Sequence, residues 1–124
     1  MGTCLINTAR ALYDFLSGFG LPAMTEGTVP DEMELPYITY TLIETEPLEN
    51  TAFYVSLWFR SMSNAAMLAK VDEIKAAIGT GVVLPCDGGF VVLRPSNPFV
   101  QLMTDEDPEI RYAYFIMQIN CYHE

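Results

Sequence analysis

Basic side chains are scarce in this 124-residue sequence: 6 Lys and Arg stand against 16 Asp and Glu, a formal net charge of −10. Affinity for nucleic acid comes from cations that displace counterions from phosphates, so this balance argues against a nucleic-acid-binding protein. Histidine occurs once, as His123, at the end of the sequence. Cysteine occurs 3 times, as Cys4, Cys86 and Cys121, with no C-x-x-C spacing. That odd, scattered set suits reduced thiols acting as small hydrophobes rather than a disulfide framework, and a cysteine nucleophile would have only His123 as a base. No zinc spacing and no EF-hand loop is present, so neither metal nor cofactor is expected. The Asp87-Gly88-Gly89 run lacks the frame and the lysine of a phosphate loop and reads as a turn. No basic segment followed by a long apolar run opens the sequence, and its hydrophobic stretches are too short to span a bilayer. The expectation is a soluble, intracellular protein with no membrane partner. Internal repeats and low-complexity segments are also missing.

What is present is hydrophobic material in ordered patterns. At 51% hydrophobic residues, the chain has enough apolar surface for one core, and a single domain over residues 1–124 is expected. Leu35 to Ile43 is rich in β-branched and aromatic residues and reads as a strand. Ala52 to Arg60 alternates, with Phe53, Val55, Leu57 and Phe59 on one face and Tyr54, Ser56, Trp58 and Arg60 on the other. After a Ser63 cap, Met67, Val71, Ile74 and Ile78 recur at helical spacing, and Gly79 closes that helix. Leu68 is expected in the core with Val71 and Ile74.

Upstream, Thr3 caps a first helix with a Leu5, Ala9, Leu12 and Leu16 stripe, flanked by Ile6 and Tyr13, and Arg10 stands four residues before Asp14. Leu21 to Glu34, rich in Pro, Gly and acids, reads as a loop long enough to touch a partner. Downstream, Val82 to Leu84 and Phe90 to Leu93 flank a glycine turn, Pro95 to Pro98 breaks the run, and Phe99 to Met103 begins another strand. Ile110 to Tyr122 alternates again, with Ala113, Phe115, Met117, Ile119 and Cys121 facing one way, and its length and aliphatic centre suggest an interior strand. The expected fold class is α+β: a largely antiparallel β-sheet with an N-terminal helix and a central helix packed against it.

Two features suggest contacts with partners. The second face of the long strands is aromatic and half polar, and Tyr54, Trp58, Arg60, Tyr112, Tyr114 and Tyr122 are candidate subunit-interface residues. The alternative is a sheet face covered by the first helix and the long loop. The acids of the connections, Glu44, Glu46 and Glu49 and then Asp105, Glu106, Asp107 and Glu109, are candidates for an acidic lumen or docking loops, against the plainer reading of solvated turns.

The order of these phrases resembles the tail terminator and tail completion, or head-tail joining, proteins of long-tailed bacteriophages. The residues that carry the resemblance span nearly the whole chain. They are the opening helix, the Pro/Gly-rich loop, Leu35-Pro36-Tyr37-Ile38-x-Tyr40, a strand ending near Trp58, a helix with Ala65, Ala66, Ala69, Ala76 and Ala77, and a final strand entered by Arg111-Tyr112. The Asp87-Gly88-Gly89 turn and the Pro95 to Pro98 break are not part of that pattern. The resemblance implies a phage or prophage virion structural protein, present in the bacterial host cytoplasm during assembly. It would form a homo-oligomeric ring, commonly a hexamer, that caps the head-proximal end of the tail tube, ends tube growth and joins tail to head. The implied partners are the tail tube protein and the head connector. No catalytic residues are implied, and a negatively charged lumen would let DNA pass without phosphate contacts. A small ligand-binding or regulatory α+β domain, using a pocket between sheet and helices, is the second reading. An enzyme is the third, since no isolated carboxylate pair or base-nucleophile set occurs.

Overall fold

The two segments that alternate most cleanly lie side by side at the centre of a sheet. A computed structural model describes residues 3–27, 29, 33–41, 51–60, 65–86, 88–107 and 109–123. Its elements in chain order are α1 (Thr3–Ser17), β1 (Ala23–Thr25), β2 (Tyr37–Tyr40), β3 (Thr51–Arg60), α2 (Ala65–Ile78), β4 (Val82–Cys86), β5 (Gly89–Thr104) and β6 (Ile110–His123). The strands form one sheet in the order β1-β2-β3-β6-β5-β4, antiparallel except for β1 beside β2. The interior position expected for the last strand is the one it occupies. No helix among the described residues is long and apolar enough to cross a membrane.

Alternation puts Phe53, Val55 and Leu57 of β3 and Ala113, Phe115, Met117, Ile119 and Cys121 of β6 on one buried face. Both helices pack on that face. From α1 come Leu12 and Leu16, and from α2 the Met67, Val71, Ile74 and Ile78 stripe, all buried in one cluster with the strand residues. The helix closes as expected, with Gly79 at φ 56° and its N–H donating to the Lys75 carbonyl at 2.8 Å. Cys121, read as a small hydrophobe, is buried and accepts a hydrogen bond from Thr8 Oγ1 at 3.7 Å. Phe59, at the end of the same face, is only partly buried against this core, and Leu68 departs further from expectation: it is 41% exposed, because the buried stripe runs through Met67, one position and about 100° earlier on the helix. Tyr13 likewise points outward from α1, and no ion pair forms between Arg10 and Asp14.

Two connections differ from expectation. The segment after α1 is not wholly a loop, since Ala23–Thr25 adds a parallel edge strand, tied by Ile38 N–H to the Pro22 carbonyl at 2.8 Å and Glu26 N–H to the Tyr40 carbonyl at 2.9 Å. Ala-Met-Thr has little β-propensity and is too short to show a period, so its extended form is imposed by pairing. The Pro95 to Pro98 break does not end a strand either. Pairing with β6 steps from Pro95 opposite Met117 to Val100 opposite Phe115, five residues forward on β5 against two on β6. The three extra residues form a wide irregularity that reverses which parity of β5 faces the helices. Leu93 faces the core before it, and Gln101 and Met103 lie on the opposite face after it. The hairpin before it is as expected, with Cys86 opposite Gly89 and Gly88 at φ 80°. Ser63, Leu42 and Ile43 lie outside the described residues.

Candidate assembly surface

With both helices on one face of the sheet, the alternate side chains of β2, β3, β6 and β5 are left on a face that no described helix covers. Register then decides which of them touch. Trp58 lies directly opposite Tyr112, and the rings stack with centroids 4.4 Å apart. Tyr54 stacks on Tyr114 along the diagonal, at 5.4 Å and 9°. Tyr37, beside Trp58 on β2, extends the row at 6.5 Å. Trp58 is held by its indole Nε1–H, which donates to Thr39 Oγ1 at 3.0 Å. Such stacked pairs contribute about 0.5–1.5 kcal/mol each beyond simple burial and fix ring positions.

Between Tyr54 and Trp58, β3 carries only the short side chain of Ser56, itself buried. A groove of about 310 Å³ opens there, lined by Glu26, Ser56, Trp58, Gln101, Met103, Tyr112 and Tyr114. Its lining reaches from just past β1 to β5, so it runs across the strands. Burial, followed by the neighbouring Tyr54, Glu26 and Tyr112, pushes the Tyr114 hydroxyl above its ordinary pKa, so it stays neutral. A second cleft of about 470 Å³ lies at the end of the same face, lined by Met33, Glu34, Leu35, Tyr37, Arg60 and Ile110.

Of the six expected interface residues, Tyr54, Trp58, Tyr112 and Tyr114 form one cluster. Tyr122 stands apart: it stacks on Phe90 at 4.8 Å, eight residues along β6 from Tyr114, or about 27 Å at strand rise. Arg60 has a role nothing in its own strand suggests. It reaches the β5–β6 hairpin, with Nη1 3.4 Å from both Asp107 Oδ2 and Glu109 Oε2, and so joins the candidate interface to the candidate acidic loop. That hairpin is organised by its own carboxylates: Asp107 Oδ1 accepts from Glu109 N–H at 3.0 Å, and Asp105 Oδ2 from Asp107 N–H at 3.5 Å. Glu106 is exposed at its tip. Among the described residues no group of three or more His, Cys, Asp or Glu side chains gathers to hold a metal. Glu44, Glu46 and Glu49 lie outside the described residues. The contributions of Glu26, Tyr37, Thr39 and Met103 were missed; Tyr37 and Thr39 were legible from the parity of their strand, while Glu26 depends on β1 and Met103 on the reversal in β5.

No protein-family model matches the chain, and no curated protein matches it in sequence. Among solved structures, the chain is similar to one from the "Virion of native gene transfer agent (GTA) particle". The two share a fold. The TM-score is 0.62 at 14% identity, over 94% of this chain and 92% of that one. The match therefore spans nearly the whole of both chains rather than a common hairpin or helix pair.

Because the ion pairs of Arg60 are exposed, they contribute little to folding. Neutralising Asp105, Asp107 and Glu109 to Asn or Gln is expected to leave stability within about 0.5 kcal/mol per site by chemical denaturation, while changing the salt dependence of any association this end of the sheet mediates. A cooperative loss of several kcal/mol would make the hairpin a structural element instead.

Proposed function

We propose that this chain is a structural protein of a phage or phage-derived virion, and within that class a tail terminator: a subunit of a homo-oligomeric ring, as in a hexamer, that caps the head-proximal end of the tail tube and meets the head connector. The observation that carries the reading is the end-to-end likeness of fold to a virion chain, in a protein whose sequence phrases follow the tail-terminator order. Two further features support it. The aromatic sheet face is uncovered by the described helices, as a subunit contact requires, and the acidic hairpin projects from the sheet end, where it would give a lumen that repels phosphate. Single-domain organisation and the absence of catalytic residues belong to the same proposal. A ligand-binding domain would need room between sheet and helices, and among the described residues Leu12, Leu16, Met67, Phe115 and Met117 are buried together there, while the two clefts described open on the opposite face.

The test is to polymerise the cognate tail tube protein with and without this chain. A cap is expected at one tube end by electron microscopy, together with arrested growth. Tubes that lengthen past bound protein, or that never bind it, overturn the reading.

A further inference from the structure

The outer edge of β5 is covered over only part of its length. β4 pairs with Gly89 to Leu93 and no described strand continues past it, so β5 runs on to Thr104 with β6 on one side alone. Beyond the irregularity, Gln101, Leu102, Met103 and Thr104 are exposed in succession, Leu102 at 48% and Met103 at 40%. Register decides where the backbone of that stretch points. The Asp105 N–H donates to the Ile110 carbonyl at 3.0 Å, which makes Asp105 and Ile110 a hydrogen-bonded pair, and bonded pairs alternate along an antiparallel ladder. Gln101 and Met103 therefore bond to β6. The N–H and C=O groups of Leu102 and Thr104, and of Val100 before them, point away from it.

Elsewhere the sheet's edges are closed to strand addition. β1 is 3 residues long with Ala23 buried, β4 carries Pro85, and β5 itself carries Pro95 and Pro98. From Phe99 to Thr104 there is neither proline nor charge. An open, uncharged edge with exposed apolar side chains on both faces is what pairs with another strand.

Charge decides whose strand it is. The edge ends at Asp105 and Glu106, both exposed and neither in an ion pair among the described residues, whereas Asp107 and Glu109 hold Arg60. Arg111, across from Thr104, is already engaged. The equivalent edge of a second copy would bring no cation to these acids, because the sequence has none between Arg94 and Arg111, and copies of charge −10 repel. A basic segment of another chain supplies what is missing.

We infer that the β5 edge from Val100 to Thr104 is a strand-addition site that takes an extended segment of a different protein, antiparallel to β5, apolar at alternate positions and basic at its N-terminal end. Main-chain hydrogen bonds to Leu102 and Thr104 hold it, an apolar side chain lies beside Leu102, and its cations meet Asp105 and Glu106. A chain that caps no tube would still carry this edge.

The probe is a short end-blocked peptide that alternates valine and threonine and carries lysines at its N-terminal end, titrated into the intact protein. Binding is expected by fluorescence anisotropy of the labelled peptide, with hydrogen exchange at the Leu102 and Thr104 amides, fast in the free chain, slowed by about tenfold or more. The same peptide N-methylated on the amides that face the edge should not bind. Leu102→Pro deletes an outward donor and no bond to β6, so it should retain its circular dichroism and weaken binding by about tenfold or more. If that variant does not fold, the N-methylated peptide makes the same test on the wild-type chain. Asp105→Asn with Glu106→Gln should weaken binding by about tenfold and flatten its salt dependence. No binding up to the solubility limit of the peptide, equal binding of the N-methylated form, indifference to the loss of both acids, or Leu102 and Thr104 amides already protected in the free monomer overturns the inference. Self-association that protects those two amides overturns it as well, because the occupant is then a second copy.

Discussion

Replacing Phe115 with alanine should lower the free energy of unfolding by about 3–5 kcal/mol, the range for deleting a large ring from a packed interior. Phe115 is fully buried, and its neighbours leave little freedom to collapse into the space. It pairs with Val55 of β3 on one side and Val100 of β5 on the other, and Phe99 packs on it edge-on at 5.4 Å and 67°. Val100 is the residue at which β5 resumes its register, and Phe99 belongs to the irregular segment itself. The ring therefore also supports the geometry that turns Gln101 and Met103 to the outer face. A denaturant titration checks this. The midpoint should fall with little change in slope if the variant loses stability alone, and the slope should change as well if the end of β5 detaches. An unchanged midpoint would mean that the buried face of β6 has been misassigned.

Where the sequence was readable, the reason is period. β3 buries Phe53, Val55 and Leu57, β6 buries Ala113, Phe115, Met117, Ile119 and Cys121, and α2 buries Met67, Val71, Ile74 and Ile78, so one-dimensional spacing carries the burial pattern. Where it was not, the cause is tertiary. β1 exists because β2 offers an unpaired edge, not because Ala23-Met24-Thr25 favours extension. In β5 the proline segment looks like an end, yet β6 continues alongside and holds the strand on both sides of the irregularity. The site divides in the same way. Tyr54, Trp58, Tyr112 and Tyr114 could be placed on one face by counting twos. That Trp58 stacks on Tyr112 while Tyr122 stands apart is a matter of register between strands more than 50 positions distant in sequence. Arg60 meeting Asp107 and Glu109 follows from one pairing, Arg60 opposite Ile110, which places the arginine at the mouth of the acidic hairpin.

The second large effect is expected at α2, where two aliphatic residues six positions apart should behave in opposite ways. Ile74 is almost fully buried beneath the sheet's helix-bearing face, so Ile74→Ala removes three carbons from the core and should cost about 2–5 kcal/mol. The better helix propensity of alanine returns only about 0.5 kcal/mol of that. Leu68 is 41% exposed and contributes little to the core, and leucine and alanine are both strong helix formers, so Leu68→Ala should stay within about 0.5 kcal/mol of wild type. Denaturation midpoints measured side by side test the assignment of faces on this helix. Equal losses at both positions would return Leu68 to the core and rotate the helix from the orientation described here.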